Sequence, residues 1–305
     1  MNIVEKAAEK LKALQPERPL PPEIEDVPLT LHVAPTVERL QERMRTADQQ
    51  PTEAAPLWHI DQKALQRAGL LPLGDEACGR LADEVRRVKR PLLDNASGKS
   101  AKPPAFGSRI MVTSAVPGEG KTFTAVNLAL GLAREPDFEV LLVDGDVPKS
   151  DITRILGLED SPGLMDVLAD ERHKPADIIV RTDVPNLLVA PAGKRHPLTS
   201  ELFGGRRMEY VLAELGGHDR QRLVIFDSAP LLATPESQVL ASHMGQVILV
   251  VSAGHTRQHE VATALEGLND SQYVGLILNM SRLPAIENHY YSHYSHHSHY
   301  QFQDQ

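Results

Sequence analysis

Residues 115–122 read Ala-Val-Pro-Gly-Glu-Gly-Lys-Thr, with four residues between a small residue, Ala115, and Gly120-Lys121-Thr122. Glycines at 118 and 120 let backbone N–H groups come close to an anion, at a point where a helix is expected to begin and its dipole favours negative charge. A lysine adds a point charge, and the hydroxyl that follows it is a hard oxygen ligand. The chemistry this implies is the cradling of a nucleoside triphosphate with Mg²⁺, ATP being the expected nucleotide. Val116, Pro117, Gly118, Glu119, Gly120, Lys121, Thr122 and Phe123 would line the phosphates, Lys121 would reach the β- and γ-phosphates, and Thr122 would ligate the metal. Two further segments end in carboxylates: Val140-Leu-Leu-Val-Asp144-Gly-Asp146 and Leu223-Val-Ile-Phe-Asp227-Ser-Ala-Pro230. Mg²⁺ on a phosphate chain takes one or two carboxylates and keeps several waters. Asp227 is the expected partner, with Asp146 acting directly or through water. Asp144 would sit nearer the attacking group, where it could accept a hydroxyl proton. Asn279, at the end of a later apolar run, is a candidate neighbour of the adenine.

These groups need a scaffold that brings distant segments to one edge. From Arg109 onward the chain alternates short apolar runs with helical patterns. Strands are expected at 110–113, 140–143, 187–190, 223–226, 247–252 and 274–278, and helices at 121–134, 163–169, 206–215, 234–242 and 258–268. Runs without polar alternation indicate burial on both faces, hence a twisted parallel sheet flanked by helices. In such open α/β sheets ligands bind outside the carboxyl ends of the strands. A charged helix is expected over 76–90, ending at Pro91, and 95–104 reads as a polar turn segment.

The ends of the chain have a different texture. Ile3, Val4, Ala7, Ala8, Leu11 and Leu14 recur at helical spacing, and 16–56 is rich in proline mixed with charges, which reads as a linker. After Pro284 comes a tract of tyrosine, histidine and serine with no aliphatic period, expected to be disordered. Three segments follow: 1–75, an amphipathic helix and linker; 76–285, the catalytic domain; 286–305, a flexible tail. A net charge of -9 disfavours general nucleic-acid affinity. The single cysteine, Cys78, excludes a disulfide framework and fits a reducing cytoplasm. No signal-peptide pattern or long apolar run is read in the sequence, so a link to a membrane is expected to run through a partner.

Ser114–Leu130, the Asp144-Gly-Asp146 segment and the Phe226-Asp-Ser-Ala-Pro230 segment resemble the P-loop tyrosine autokinases of bacterial exopolysaccharide systems, in particular the exosortase-associated subgroup. The resemblance implies a MinD-like P-loop NTPase fold and ATP-dependent phosphorylation in trans of the chain's own tyrosines, Tyr290, Tyr291, Tyr294 and Tyr300. Lys121, Asp144 and Asp146 would be catalytic, and Thr122, Asp146 and Asp227 would hold Mg²⁺. Glu84-x-x-Arg87-x-x-Arg90 matches the family's subunit-contact motif, and a spacing of three places these residues on one helical face. The implied partners are a homo-oligomeric ring, a membrane polysaccharide co-polymerase as activator, and a tyrosine phosphatase. The implied place is the cytoplasm, peripheral to the inner membrane.

The chain departs from the family pattern at three points. Lys149 stands where an arginine is usual, Ala229 replaces the first of two prolines, and the tail is rich in histidine. Two other functions fit part of the evidence. A partition- or division-type ATPase of the same superfamily would carry a lysine where Val116 stands. A metal-delivery NTPase would use His289, His293, His296, His297 and His299, but no Cys-x-x-Cys accompanies them.

Overall fold

The computed structural model describes residues 57–67, 69–70, 80–217 and 221–281. The expected N-terminal helix, the linker and the tyrosine tail lie outside them. Among the described residues the elements are α1 (Gln62–Arg67), α2 (Arg80–Ala96), β1 (Arg109–Ser114), α3 (Lys121–Leu132), β2 (Phe138–Gly145), α4 (Asp151–Ile155), α5 (Leu164–Ala169), a 3₁₀ turn (Pro175–Ile178), β3 (Val180–Arg181), β4 (Leu187–Ala190), α6 (Thr199–Phe203), α7 (Arg206–Leu215), β5 (Gln221–Ser228), α8 (Pro235–Ser242), β6 (Gln246–Ser252), α9 (Gln258–Glu266) and β7 (Tyr273–Asn279).

The strands form one seven-stranded sheet in the order β3-β4-β2-β5-β1-β6-β7. Alternate residues of each central strand enter different cores. Met111, Leu141, Val143, Val224, Phe226, Val247 and Leu249 pack on one face with α5, α7 and α8. Ile110, Val112, Val140, Leu142, Leu223, Ile225, Ile248 and Val250 pack on the other with α2 and α3. Both faces are dry, which is why these strands read as unbroken apolar runs.

The chain order places the functional loop. β1 lies between β5 and β6, pairing in parallel with each, so the segment leaving β1 emerges where neighbouring connections diverge. β2 runs beside β5 in a register that sets Asp144 opposite Asp227. Two carboxylates more than eighty positions apart thereby share one level at the carboxyl edge of the sheet.

Four expectations are corrected. The sheet is not wholly parallel, because the edge strand β3 pairs antiparallel with β4. The strand over 274–278 is not buried on both faces: β7 is the opposite edge, with Leu276 and Leu278 exposed. The charged helix does not end at Pro91 but continues to Ala96. Pro91 withholds an N–H from the carbonyl of Arg87 on the exposed side of the helix, while the turn beyond it is held from below. Leu92 is fully buried, and Asn95 donates to the side chain of Gln246 at 2.8 Å. The polar turn therefore starts after Ala96, and Asn95 is a buried partner of the sheet.

α2 packs along α3. Leu81, Val85, Val88 and Leu92 follow helical spacing onto the α3 side of the sheet, and Lys89 Nζ reaches Glu135 Oε1 at 2.5 Å beyond the end of α3. Glu84, Arg87 and Arg90 lie on the exposed face of α2. Among the described residues no helix is long and apolar enough to cross a membrane.

Candidate active site

The loop 115–120 turns from β1 into α3 through two glycines with positive φ, Gly118 at 87° and Gly120 at 90°. Any side chain at 120 would also collide with Asn279, whose Nδ2 lies 2.2 Å from where a Cβ would stand. Glycine at 120 thus relieves backbone strain, and a larger residue there would have to displace the Asn279 side chain. Nothing lies within 4 Å of a Cβ built at Gly118, so that position is open toward an incoming group.

The side chains following the loop already have partners. Lys121 Nζ pairs with Asp146 Oδ2 at 2.8 Å, with side chains 6% and 3% exposed respectively. Thr122 Oγ1 donates to Asp227 Oδ2 at 2.6 Å. Asp144 accepts from the backbone N–H of Thr153 at 2.8 Å and from its hydroxyl at 2.7 Å, both on Oδ2. Lys121, Thr122, Asp144, Asp146 and Asp227 thus meet at the carboxyl ends of β1, β2 and β5, as expected. Asn279 is also brought in, its side chain donating to the Glu119 carbonyl at 2.9 Å.

Burial sets the electrostatics. Asp227 is fully enclosed, and loss of water pushes its carboxyl up to about 8, against the opposing pull of the Thr122 hydroxyl and Lys121. Burial likewise raises Asp144 to about 6, with the Thr153 bonds working the other way. Oδ1 of Asp144 and Oδ1 of Asp227 are buried without a hydrogen-bond partner. Unpartnered buried carboxylate oxygens are costly alone and are well served by a cation. The hydroxyl of Thr122 and the carboxylates of Asp227 and Asp146 therefore fit Mg²⁺. Among the described residues no group of three or more His, Cys, Asp or Glu forms a metal cage. A sparse set suits an ion that arrives with phosphate oxygens and water.

Sequence reading missed Thr153, Ser252 and Thr256. Thr153 lies in α4, and only the packing of that helix against β2 turns it toward Asp144. Ser252, the last residue of β6, and Thr256, in the turn just past it, meet the carboxylate of Glu119. No motif marks them, because their role depends on β6 lying next to β1. An open cleft of about 580 Å³ runs between Val116–Glu119 on one side and Ser252, His255, Thr256 and Arg257 on the other. Lys149, the residue in the usual arginine's place, is exposed beyond β2.

A strand-loop-helix phosphate cradle at the divergence point of an open sheet, facing carboxylates from two neighbouring strands, defines a P-loop nucleotide-binding domain. Residues 108–271 match the AAA domain family (AAA_31). The chain is 33% identical over 177 residues to tyrosine-protein kinase YwqD of Bacillus subtilis, spanning 57% of this chain and 73% of that protein. It is 31% identical over 172 residues to tyrosine-protein kinase wzc of Salmonella typhimurium, spanning 56% of this chain but only 23% of that protein. Among solved structures, the VpsO kinase domain is 30% identical and superposes with a TM-score of 0.52, covering 65% of this chain and 99% of that domain. The chain belongs to the bacterial tyrosine-protein kinases built on this AAA domain.

Proposed function

We propose that this chain transfers the γ-phosphoryl group of ATP to tyrosines of its own tail, Tyr290, Tyr291, Tyr294 and Tyr300, one subunit serving as substrate for its neighbour. The observation that carries the reading is the meeting of the Lys121–Asp146 pair, the Thr122–Asp227 pair and Asp144 at one edge, directly behind the phosphate loop. The loop N–H groups bind the phosphates. Lys121, held by Asp146, has its charge poised where the γ-phosphate must lie. Mg²⁺, held by Thr122, Asp227 and Asp146, would supply charge neutralisation across the phosphate oxygens. Asp144 takes the phenolic proton on the oxygen that Thr153 leaves unused. Its raised pKa makes it a better proton acceptor than a solvated aspartate, while leaving it ionised at neutral pH. Asn279 steadies the loop beside the base.

The wider role in this proposal is control of exopolysaccharide polymerisation and export. A membrane co-polymerase of the chain-length-determinant type is the activator and residues 1–75 are its docking segment. A ring forms through Glu84, Arg87 and Arg90, and a tyrosine phosphatase resets the tail. Each phosphotyrosine adds about -1.5 to -2 charge. A phosphorylated cluster would therefore repel both its copies and an acidic parent, which suits a cycle of assembly and release. Support comes from the kinases named among the relatives and from the exposed face of α2.

Intact-mass spectrometry after incubating phosphatase-treated protein with ATP–Mg²⁺ tests the reaction. The expected result is successive additions of about 80 Da each, one phosphoryl group at a time, mapping to Tyr290–Tyr300 and abolished by Lys121→Met. Additions that persist in Lys121→Met, or hydrolysis with no addition even when the activator's cytoplasmic segment is supplied, would reject the autokinase. The second outcome would favour a partition-type ATPase.

A further inference from the structure

Glu119 presents an electrostatic conflict. It lies within a phosphate-binding loop, where a carboxylate repels the ligand the loop must hold. The side chain is turned inward and is 1% exposed. Its Oε2 accepts the backbone N–H of Val116 at 2.7 Å. Its Oε1 accepts the backbone N–H of Ser252 at 3.1 Å and the hydroxyl of Thr256. The Ser252 N–H is shared with Thr256 Oγ1, also at 3.1 Å. The Glu119 carbonyl in turn accepts Asn279 Nδ2 at 2.9 Å. One loop residue is thus gripped by the end of β6, the turn after it and the end of β7.

We infer that Thr256, acting through the Glu119 carboxylate, is a positioning residue for the phosphate loop. It lies outside the loop and belongs to none of the segments that carry the family resemblance. The inference rests on reading 115–122 as the ATP site. A loop rich in glycine has many conformations available, and only a few aim its N–H groups at one anion. Three donors, one from the loop itself, one from the end of β6 and one from the turn after it, converge on a single buried carboxylate, which only an ionised acid can satisfy together. This fixes the loop before nucleotide arrives and ties the first half of the loop to the segment leading into α9. The charge is tolerated because those donors neutralise it and the side chain faces away from the open side at Gly118.

The two physical effects predict opposite signs. If charge repulsion dominated, Glu119→Gln would tighten ATP–Mg²⁺ binding. If anchoring dominates, the same change weakens it, because an amide offers one acceptor oxygen to three donors. The test is the Kd for ATP–Mg²⁺ by calorimetry on the full chain, with kcat and KM of phosphoryl transfer alongside. Thr256→Val is expected to raise Kd and KM about tenfold, the scale of one hydrogen bond to a charged acceptor, with kcat within about twofold. Thr256→Ser, which keeps the hydroxyl, should restore binding to near wild type. Glu119→Gln should also weaken binding, and adding Thr256→Val to it should cost little more, since both act through one carboxylate. Wild-type affinity in Thr256→Val, or tighter binding in Glu119→Gln, would overturn the inference. So would equal losses in Thr256→Val and Thr256→Ser. A wild-type chain that bound no ATP in the same assay would instead overturn the ATP reading on which the inference stands.

Discussion

Asp227 sits at the end of β5 with one oxygen bonded to Thr122 and the other unpartnered, and this sets a pH dependence at the scale of a single residue. Its pKa in the folded chain is raised to about 8 from 3.8, so the folded state holds a proton that the unfolded state releases. The stabilising contribution is complete below the unfolded value and is lost as pH rises through the folded one. Asp144, raised to about 6, acts in the same direction over a narrower window. Nucleotide-free protein should therefore lose stability between about pH 4 and 8, with a slope from Asp227 of the order of 1 kcal/mol per pH unit. Asp227→Asn, which mimics the protonated acid, should flatten that slope. Melting curves of both proteins from acid to mild alkali check it, and parallel curves would mean that Asp227 is ionised in the resting chain. That Lys121, Thr122, Asp144, Asp146 and Asp227 would be brought to one edge of the sheet was legible in the sequence. Their partnerships were not: that Asp146 holds Lys121, or that Thr153 holds Asp144, depends on which helix packs on which strand end.

At the scale of elements, α2 shows tertiary contacts prevailing over a local stop signal. Proline inside a helix costs about 3 kcal/mol, yet α2 runs past Pro91 because its last turn is tied to β6. Gln246 accepts from Asn95 at 2.8 Å and donates to the carbonyl of Leu92 at 3.1 Å, both buried, and to that of Gly107 at 2.5 Å, partly buried. Gln246→Leu should leave those groups unpaired and destabilise the fold by about 2–3 kcal/mol. Adding Asn95→Leu should recover part of the loss. Urea unfolding measures both, and a change below about 0.5 kcal/mol in the single variant would show that water replaces the network. The apolar runs marked nearly every strand of the central sheet, but the two-residue β3 and the short helices α4 and α6 escaped notice. Such brief elements carry too few residues for a period to emerge, and contacts made by their neighbours hold them in place.

For the whole molecule, assembly is the property that the exposed face of α2 would govern. Exchanging Arg87 and Arg90 for glutamate (R87E, R90E) reverses charge on that face without touching Leu81, Val85, Val88 or Leu92, which face the core. The variant should melt within a few degrees of wild type, as expected for surface changes of about 0.5 kcal/mol, while light scattering shows the larger species lost. Unchanged mass would assign the subunit contact to another face.

The sequence by itself determined the phosphate cradle, the acidic strand ends and the alternation of strands and helices. These are local signals: glycine's freedom at positive φ, the chemistry of a Lys-Thr pair, and apolar runs that only a doubly covered sheet can bury. The tertiary structure alone decided that the strands run in the order β2-β5-β1-β6-β7 across the sheet. From β2 beside β5 follows the opposition of Asp144 and Asp227, and from β6 and β7 beside β1 follow the placing of Asn279 against Gly120 and the grip of Thr256 on Glu119. Strand order is set by how two hydrophobic cores close over the whole sheet, a sum over distant contacts that no single stretch of chain contains.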